Sequence, residues 1–304
     1  MKIIIFGASG MLGQNLLAKL KLEADYQLIT PTRQELNLLD KQAVFNYIKK
    51  INPQLIIHLA AKVGGIQANI SEPVLFLSDN LNMGLNVVLG ALENNIPELI
   101  NIGSSCMYPR DRELLSEHDL LTGPLEPTNE GYALAKISIM RLCDYIHHQH
   151  GLNYKTITPP NLYGPYDHFD LVNAHMIPAV IHKLHLAKKN HESQVTIWGD
   201  GQARREFMYI GDLVDFLLIA INRLSELPSN LNVGLGRDYT VNEYYHFIRE
   251  IVGFQGEFTH DLTKAAGMKK KLLDSSLAFE LFNWKANTPI QTGLQKTYDY
   301  FLTS

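Results

Sequence analysis

Tyr132 and Lys136 stand four residues apart in a run that reads as helix, so their side chains share one face. A free phenol has a pKa near 10 and is a poor acid or base at neutrality. An ammonium beside it favours the phenolate and brings that value down toward a useful range. The pair alone is weak evidence, because tyrosine and lysine at this spacing occur on many surface helices. Gly103-Ser104-Ser105-Cys106 adds a hydroxyl directly after Leu99 to Ile102, an apolar run that reads as a strand. In open α/β sheets ligands bind beyond the carboxyl ends of the strands. Ser104, Tyr132 and Lys136 behind a dinucleotide fold form a constellation suited to reduction.

The dinucleotide signal lies at the N-terminus. Gly7-Ala8-Ser9-Gly10-Met11-Leu12-Gly13 joins an apolar run to a helical one. Glycine there lets the backbone approach a pyrophosphate, whose charge meets free N–H groups at the helix N-terminus. The spacing is G-x-x-G-x-x-G, so the usual G-x-G-x-x-G pattern is met only loosely. An ordinary turn is the plain alternative, and the position at the first strand–helix junction favours cofactor binding. An NAD site places a carboxylate after the second strand to hold the ribose 2′-hydroxyl. Here that strand ends Thr30-Pro31-Thr32-Arg33, with no carboxylate before Glu35. Arg33 suits a 2′-phosphate, so NADP is the expected cofactor, against the alternative of an exposed arginine on a solvated loop.

The elements that must position these groups alternate. Strands are predicted at Ile3–Phe6, Tyr26–Thr30, Leu55–Leu59, Leu99–Ile102 and Tyr154–Thr158. Helices are predicted at Met11–Leu22, Lys41–Ile51, Pro73–Glu93 and Asn129–His150. Parallel strands need crossover helices, so this rhythm implies an α/β fold with a Rossmann-type doubly wound parallel sheet. After Pro165 the rhythm changes to a helix at Ile177–Lys189 and short strands at Val195–Trp198 and Glu206–Ile210. Leu213–Leu224 and Leu231–Val233 then read as a return to the sheet. The expected division is a nucleotide-binding domain, 1–165 with about 211–234, and a smaller α/β substrate domain, 166–210 with 235–304. A cleft is expected between them.

Composition bounds the class. The 304 residues carry 27 basic and 31 acidic side chains, a net charge of −4, which argues against an electrostatic nucleic-acid binder. Cys106 and Cys143 cannot staple a fold of this size, so a reducing compartment is expected. The apolar run before Gly7 is only four residues long, so no signal peptide or membrane span is expected, and the setting is expected to be cytoplasmic. No metal is expected.

The chain resembles the extended short-chain dehydrogenase/reductases, and within them the GDP-L-fucose synthase branch. The resemblance runs nearly end to end. It is carried by Gly7 to Gly13, Glu35 to Asp40, Ala60-Ala61-Lys62-Val63-Gly64-Gly65-Ile66 and Gly103 to Pro109. It continues through Leu125 to Glu130, Tyr132 to Lys136, Asn161-Leu162-Tyr163-Gly164-Pro165 and Arg205-Glu206-Phe207. It implies Tyr132 as proton donor to a sugar C4 oxygen, supported by Ser104 and Lys136. It also implies Cys106 and His175 as the acid–base pair that inverts C3 and C5.

For NADP the resemblance implies contacts from Gly7, Ser9, Gly10, Met11, Leu12, Gly13, Arg33, Asp40, Ala60, Ala61, Lys136, Pro159, Asn161, Leu162 and His175. For a GDP-linked 4-keto-deoxy sugar it implies Asn161, Lys183, Trp198, Arg205 and Lys271. Plain alternatives stand beside these. His175 could cap or solvate a loop, Trp198 could be a core residue, and Lys269-Lys270-Lys271 could be a solvated face. Cys143 reads as a small buried hydrophobe.

Several positions depart from the branch. Ser9 stands where arginine is common, Lys183 replaces arginine, Pro160 replaces threonine and Gly131 replaces proline. Ala265 to Lys269 stands where Pro-Asp-Gly-Thr-Pro-Arg is usual, which removes a polar contact near Ala266. A related GDP-4-keto sugar, 3,6-dideoxy (leading to GDP-L-colitose) or a heptose, is therefore an alternative substrate. Two further readings are an NAD-retaining nucleotide-sugar 4-epimerase and a non-catalytic dinucleotide sensor. Cys106 and His175 weigh against the first, and the complete Ser104, Tyr132 and Lys136 set against the second. A homodimer through the two long helices is expected from the resemblance.

Overall fold

The computed structural model describes residues 1–23, 25–171, 174–263 and 269–304. The contact expected to be lost near Ala266 lies outside these residues. A six-stranded parallel sheet forms the centre. The chain runs β1 (Lys2–Phe6), α1 (Met11–Leu20), β2 (Gln27–Ile29), α2 (Lys41–Ile51), β3 (Leu55–His58) and α3 (Pro73–Glu93). It continues with β4 (Glu98–Ile102), α4 (Glu130–His150), β5 (Asn153–Thr158), β6 (Asn161–Tyr163), α5 (Met176–Lys189), β7 (Gln194–Trp198) and β8 (Phe207–Tyr209). Then follow α6 (Ile210–Asn222), β9 (Asn230–Asn232), α7 (Val241–Val252), β10 (Glu257–Asp261) and α8 (Ile290–Thr303). The sheet order is β9-β5-β4-β3-β1-β2.

The strands are apolar on both faces because helices cover both. Ile3, Ile5, Leu55, Ile57, Ile100 and Ile157 share one core with Leu16 of α1 and Leu213 and Leu217 of α6. Their neighbours Ile4, Phe6, Ile56, Leu99 and Tyr154 face the other way, into a core with Val44, Val87, Ile139 and Cys143. The alternation follows the two-residue period of a strand, and the sheet is doubly wound as expected. Cys143 is wholly buried, also as expected. A third core gathers Ile177, Ile181, Val195, Phe207, Tyr244, Ile248 and Leu294 around α5, α7 and α8. Two small parallel pairs, β6 with β8 and β7 with β10, lie in this part of the chain.

Helix ends follow their local chemistry. Asp40 caps α2 by accepting from Ala43 N at 3.0 Å, and Asn52 ends it in the left-handed region at φ 49°. The two long helices α3 and α4 approach closely at Gly84, where a Cβ would lie 2.4 Å from Ile139 Cγ1. By length and composition α3 could cross a membrane, and 44% of its most apolar window is buried inside the protein.

Differences from the sequence reading are local. The segment Leu213–Leu224, read as part of the return to the sheet, lies mostly in a helix that begins at Ile210, and the strand expected from Glu206 begins one residue later. Glu206 is instead 2% exposed and turned inward, accepting from Leu273 N at 2.8 Å and Gly236 N at 3.0 Å. Residues 276–286, expected in the substrate domain, pack on the sheet: Ala278, Phe282 and Trp284 belong to its core, with both aromatic rings edge-on to Phe216. A short helix at Ile66–Ser71 was not anticipated.

Candidate active site

The glycine turn forms a cradle with a reason for each glycine. Gly7 sits at φ 85°, and a Cβ there would lie 2.5 Å from Ala60 N, so only glycine lets this turn meet the segment after β3. A Cβ on Gly13 would lie 2.4 Å from Gly7 O, so α1 can pack against the turn. At Gly10 the nearest atom to a Cβ is 3.5 Å away, and that side is open. No side chain caps α1 and no acidic residue occupies its first turn. The N–H groups of that turn are thus left for an anion, which fits a dinucleotide pyrophosphate. Ser9 offers its carbonyl to Gln14 Nε2 at 3.0 Å.

Arg33 is exposed beyond β2. The carboxylate nearest that strand end, Glu35, accepts from Thr32 N at 2.7 Å and so closes its own turn. Asp40 is engaged in capping α2. Ala60 and Ala61 follow β3. Pro159 O accepts from Ser105 N at 3.1 Å, and Asn161 and Leu162 open β6 just beyond it.

Ser104, Tyr132, Lys136 and Cys106 are brought together at the carboxyl end of β4. Ser104 caps the short 3-10 turn Ser105–Met107, its Oγ accepting from Cys106 N at 3.2 Å. Lys136 is 6% exposed, donates to Ile102 O at 2.8 Å and lies 5.7 Å from the centre of the Tyr132 ring. Burial brings its ammonium down to about 8, with the nearby Cys106 acting the other way.

Tyr132 departs from the expectation of a lowered pKa. Burial raises its phenol above 10 and Cys106 adds to this, while a hydrogen bond with Ser104 opposes both. The low-dielectric surroundings penalise the phenolate more than the neighbouring groups favour it. Tyr132 therefore rests as a neutral phenol, the form that can donate a proton.

Sequence reasoning missed the layer behind Lys136. His58 and Asn101 are register partners on β3 and β4, 3% and 1% exposed. Burial, then the Lys136 charge, pushes His58 down to about 3, so it is neutral. Asn101 Nδ2 donates to Thr156 Oγ1 at 3.2 Å on β5. The available signal was a polar residue at or one short of the carboxyl end of a largely apolar parallel strand, His58 ending β3 and Asn101 preceding the last residue of β4.

Cys106 is half-buried, with Asn129 Nδ2 at 3.0 Å and Lys271 Nζ at 3.4 Å from its sulfur. His175 caps α5 by its backbone position without a side-chain cap bond. Burial lowers its pKa and the neighbouring His168 contributes, so the imidazole rests neutral. Lys183 donates to Thr196 O, which joins α5 to β7. Trp198, at the end of β7, is 57% exposed and not a core residue. Arg205 donates to Arg204 O at 2.7 Å; burial lowers its pKa, opposed by Glu126. Lys270 pairs with Glu113 at 3.9 Å, so the lysine run is not a uniform solvated face.

Residues 3–234 match the model of the NAD dependent epimerase/dehydratase family. The chain is 51% identical to the GDP-L-colitose synthase of Yersinia pseudotuberculosis over 99% of its length and 98% of that protein. It is 42% identical to the GDP-L-fucose synthase of Azorhizobium caulinodans, covering 99% of this chain and 96% of the relative. Among solved structures, the GDP-mannoheptose C4 reductase of Campylobacter jejuni, with NADP bound, superposes with a TM-score of 0.90 at 29% identity. That match covers 99% of this chain and 98% of the other. With its glycine cradle and its serine–tyrosine–lysine group, the chain belongs to the NAD-dependent epimerase/dehydratase family, in the branch that contains the GDP-L-fucose and GDP-L-colitose synthases.

Proposed function

We propose that this protein is an NADPH-dependent enzyme that epimerises and reduces a GDP-linked 4-keto-6-deoxy sugar. The observation that carries the reading is the group at the end of β4: a neutral, half-buried phenol with a lysine ammonium over its ring, and a serine hydroxyl and a thiol beside it. The glycine cradle and the first turn of α1 would hold the pyrophosphate of the cofactor, Arg33 its 2′-phosphate, and bound NADPH supplies a hydride.

The chain's own groups do the rest. Ser104 and Tyr132 hydrogen-bond the C4 carbonyl oxygen, which stabilises negative charge on it during both enolate formation and reduction. A C4 ketone acidifies the adjacent C–H bonds, and inversion needs one group to remove a proton and another to return one on the opposite face. Cys106 and His175 take these two roles, with reference pKa values near 8.5 and 6.5 that suit exchange at neutrality. Tyr132 then protonates the C4 oxygen, and the Lys136 ammonium stabilises the phenolate left behind.

Lys183, Trp198, Arg205 and Asn161 are assigned to the nucleotide and sugar, in a cleft between the sheet unit (1–165 with about 211–234) and the unit built on the third core. Exposed Val74, Leu75, Leu134 and Tyr145 on α3 and α4 support a homodimer through those helices. A cytoplasmic setting suits two free cysteines.

One form of this reaction converts GDP-4-keto-6-deoxy-D-mannose to GDP-L-fucose, with inversion at C3 and C5. The 3-deoxy counterpart, leading to GDP-L-colitose, needs inversion at C5 alone, and the higher identity to the colitose synthase favours it. Incubation with NADPH and each GDP-4-keto sugar, with product stereochemistry read by NMR, separates the two. The 3-deoxy substrate is expected to turn over with the higher kcat/KM, and a preference for the 3-hydroxy sugar would reverse this order. Consumption of neither, with NAD retained through purification, would overturn the reductase reading.

The cofactor assignment has its own check. Arg33→Ala is expected to raise KM for NADPH about tenfold and leave NADH nearly unchanged, since a charged contact to phosphate is worth on the order of 1–2 kcal/mol. An unaltered NADPH preference would remove Arg33 from the 2′-phosphate site.

A further inference from the structure

The sulfur of Cys106 is held by nitrogen from two sides. Asn129 Nδ2 lies at 3.0 Å and Lys271 Nζ at 3.4 Å. Neither an amide NH2 nor an ammonium can accept, so both donate and the sulfur is the acceptor. Asn129 precedes α4 and is itself fixed by donating its backbone N–H to Glu126 O at 3.1 Å. Lys271 arrives from 165 positions along the chain.

The segment carrying Lys271 is well anchored. Leu272 and Leu273 pair in parallel with Leu114 and Leu115, and Asp274 N donates to Leu115 O at 2.9 Å. Leu273 N is also bound by the inward-turned Glu206, next to Arg205. The ammonium is therefore delivered to the thiol by a fixed backbone. The resemblance assigns Lys271 to the substrate, a role that would leave the free enzyme's cysteine unaffected.

We propose that Asn129 and Lys271 are positioning residues for Cys106, holding its sulfur as a hydrogen-bonded thiolate that removes the proton beside the C4 ketone. This rests on the reading of Cys106 as an epimerisation residue. Among the described residues, the titratable groups that interact with the sulfur are Lys271, Lys136 and Tyr132. Two N–H donors aimed at one sulfur bind its anion more strongly than its thiol, so the geometry favours the thiolate.

The protons balance. The thiolate takes a proton from the carbon, an S–H bond forms, and the C–H electron pair enters the enolate. The His175 imidazolium, favoured once the diphosphate brings negative charge into the cleft, returns a proton to the opposite face and becomes neutral. Between turnovers the thiol releases a proton to water and the imidazole takes one up.

Alkylation of Cys106 by iodoacetamide reports the thiolate without substrate or cofactor. The rate is followed against pH in the full chain, with the labelled site located by peptide mapping; wholly buried Cys143 is the unreactive control. Lys271→Gln is expected to move the half-maximal pH up by about one unit, a fall of about tenfold in alkylation rate at neutrality. Asn129→Ala gives a smaller rise in the same direction, and Lys271→Arg restores the wild-type profile. Superimposable profiles for wild type, Lys271→Gln and Asn129→Ala would overturn the proposal.

Solvent-deuterium exchange separates the two failures. A shifted profile with full exchange in Cys106→Ser leaves the positioning intact and removes the epimerase role. Exchange that needs Cys106, with an unmoved profile, does the reverse.

Discussion

Replacing Tyr132 by phenylalanine is expected to lower the rate of C4 reduction by about 10²- to 10⁴-fold, the usual worth of a positioned proton donor. The ring stays, so its packing over Lys136 at 5.7 Å is kept and only the hydroxyl is lost. NADPH binding, followed by its fluorescence, should be nearly unchanged. Solvent-deuterium exchange into the sugar should continue, though more slowly, because Ser104 still bonds the carbonyl oxygen and Cys106 and His175 remain. The wild-type pH profile gives a second reading of the same site. Lys136 titrates near 8, charged below and neutral above. Its charge supports the phenolate that Tyr132 becomes on donating, so kcat/KM for reduction should hold below about pH 8 and fall above it. Near-wild-type reduction by Tyr132→Phe would take the phenol out of the mechanism, and a rate that climbs through pH 8 would take out the lysine.

The fold was legible where burial and period agree. Ile3-Ile4-Ile5-Phe6 is apolar at every position because helices cover both faces of its strand, and no other local structure suits so short a run before glycine. The helices Lys41–Ile51 and Pro73–Glu93 begin and end at their predicted residues, where Asp40, Asn52 and Pro73 act as caps and stops. What stayed hidden depends on distant partners. Glu206 reads as a strand residue, yet its carboxylate leaves the strand to bind backbone N–H groups at 236 and 273. Phe282 and Trp284 carry no mark of which core they join; their contact with Phe216 on α6, distant in sequence, decides it.

The site shows the same division. The placement of Ser104, Tyr132 and Lys136 follows from helix spacing and strand ends, both local rules. The protonation state of Tyr132 does not. A neighbouring lysine argues for a lowered value, but that lysine gives its hydrogen bond to Ile102 O, and desolvation prevails. His58 and Asn101 carried only a weak mark, a polar residue near a strand end, because their pairing joins two strands that the sequence separates by a long helix. The resemblance gives Lys271 as a contact to the GDP-linked sugar, whereas its contact with sulfur depends on the pairing of 272–273 with 114–115.

Cys106→Ser should lower the exchange of solvent deuterium into the sugar, and His175→Asn the inversion of the sugar, each by about 10²- to 10⁴-fold, while C4 reduction survives in both. Serine keeps the size of the side chain and its hydrogen bonds, but its hydroxyl is far too weak an acid to be ionised at neutrality, so it cannot take a carbon-bound proton. Asparagine keeps a polar group at the start of α5 and loses the titrating ring. Ser104, Tyr132 and Lys136 are untouched by either change, so the ketone can still be reduced, and the un-inverted alcohol should accumulate in place of the epimerised one. This partition of products, read by NMR, distinguishes a lost acid–base group from a general collapse of the site, which would lower both steps together. The two variants need not be equal. Loss of the group that removes the proton stops exchange at every carbon, whereas loss of the group that returns it lets deuterium re-enter on the original face. Exchange at the wild-type rate in Cys106→Ser and inversion at the wild-type rate in His175→Asn would mean that other groups invert the sugar, and the thiol and imidazole would then have no part in the chemistry.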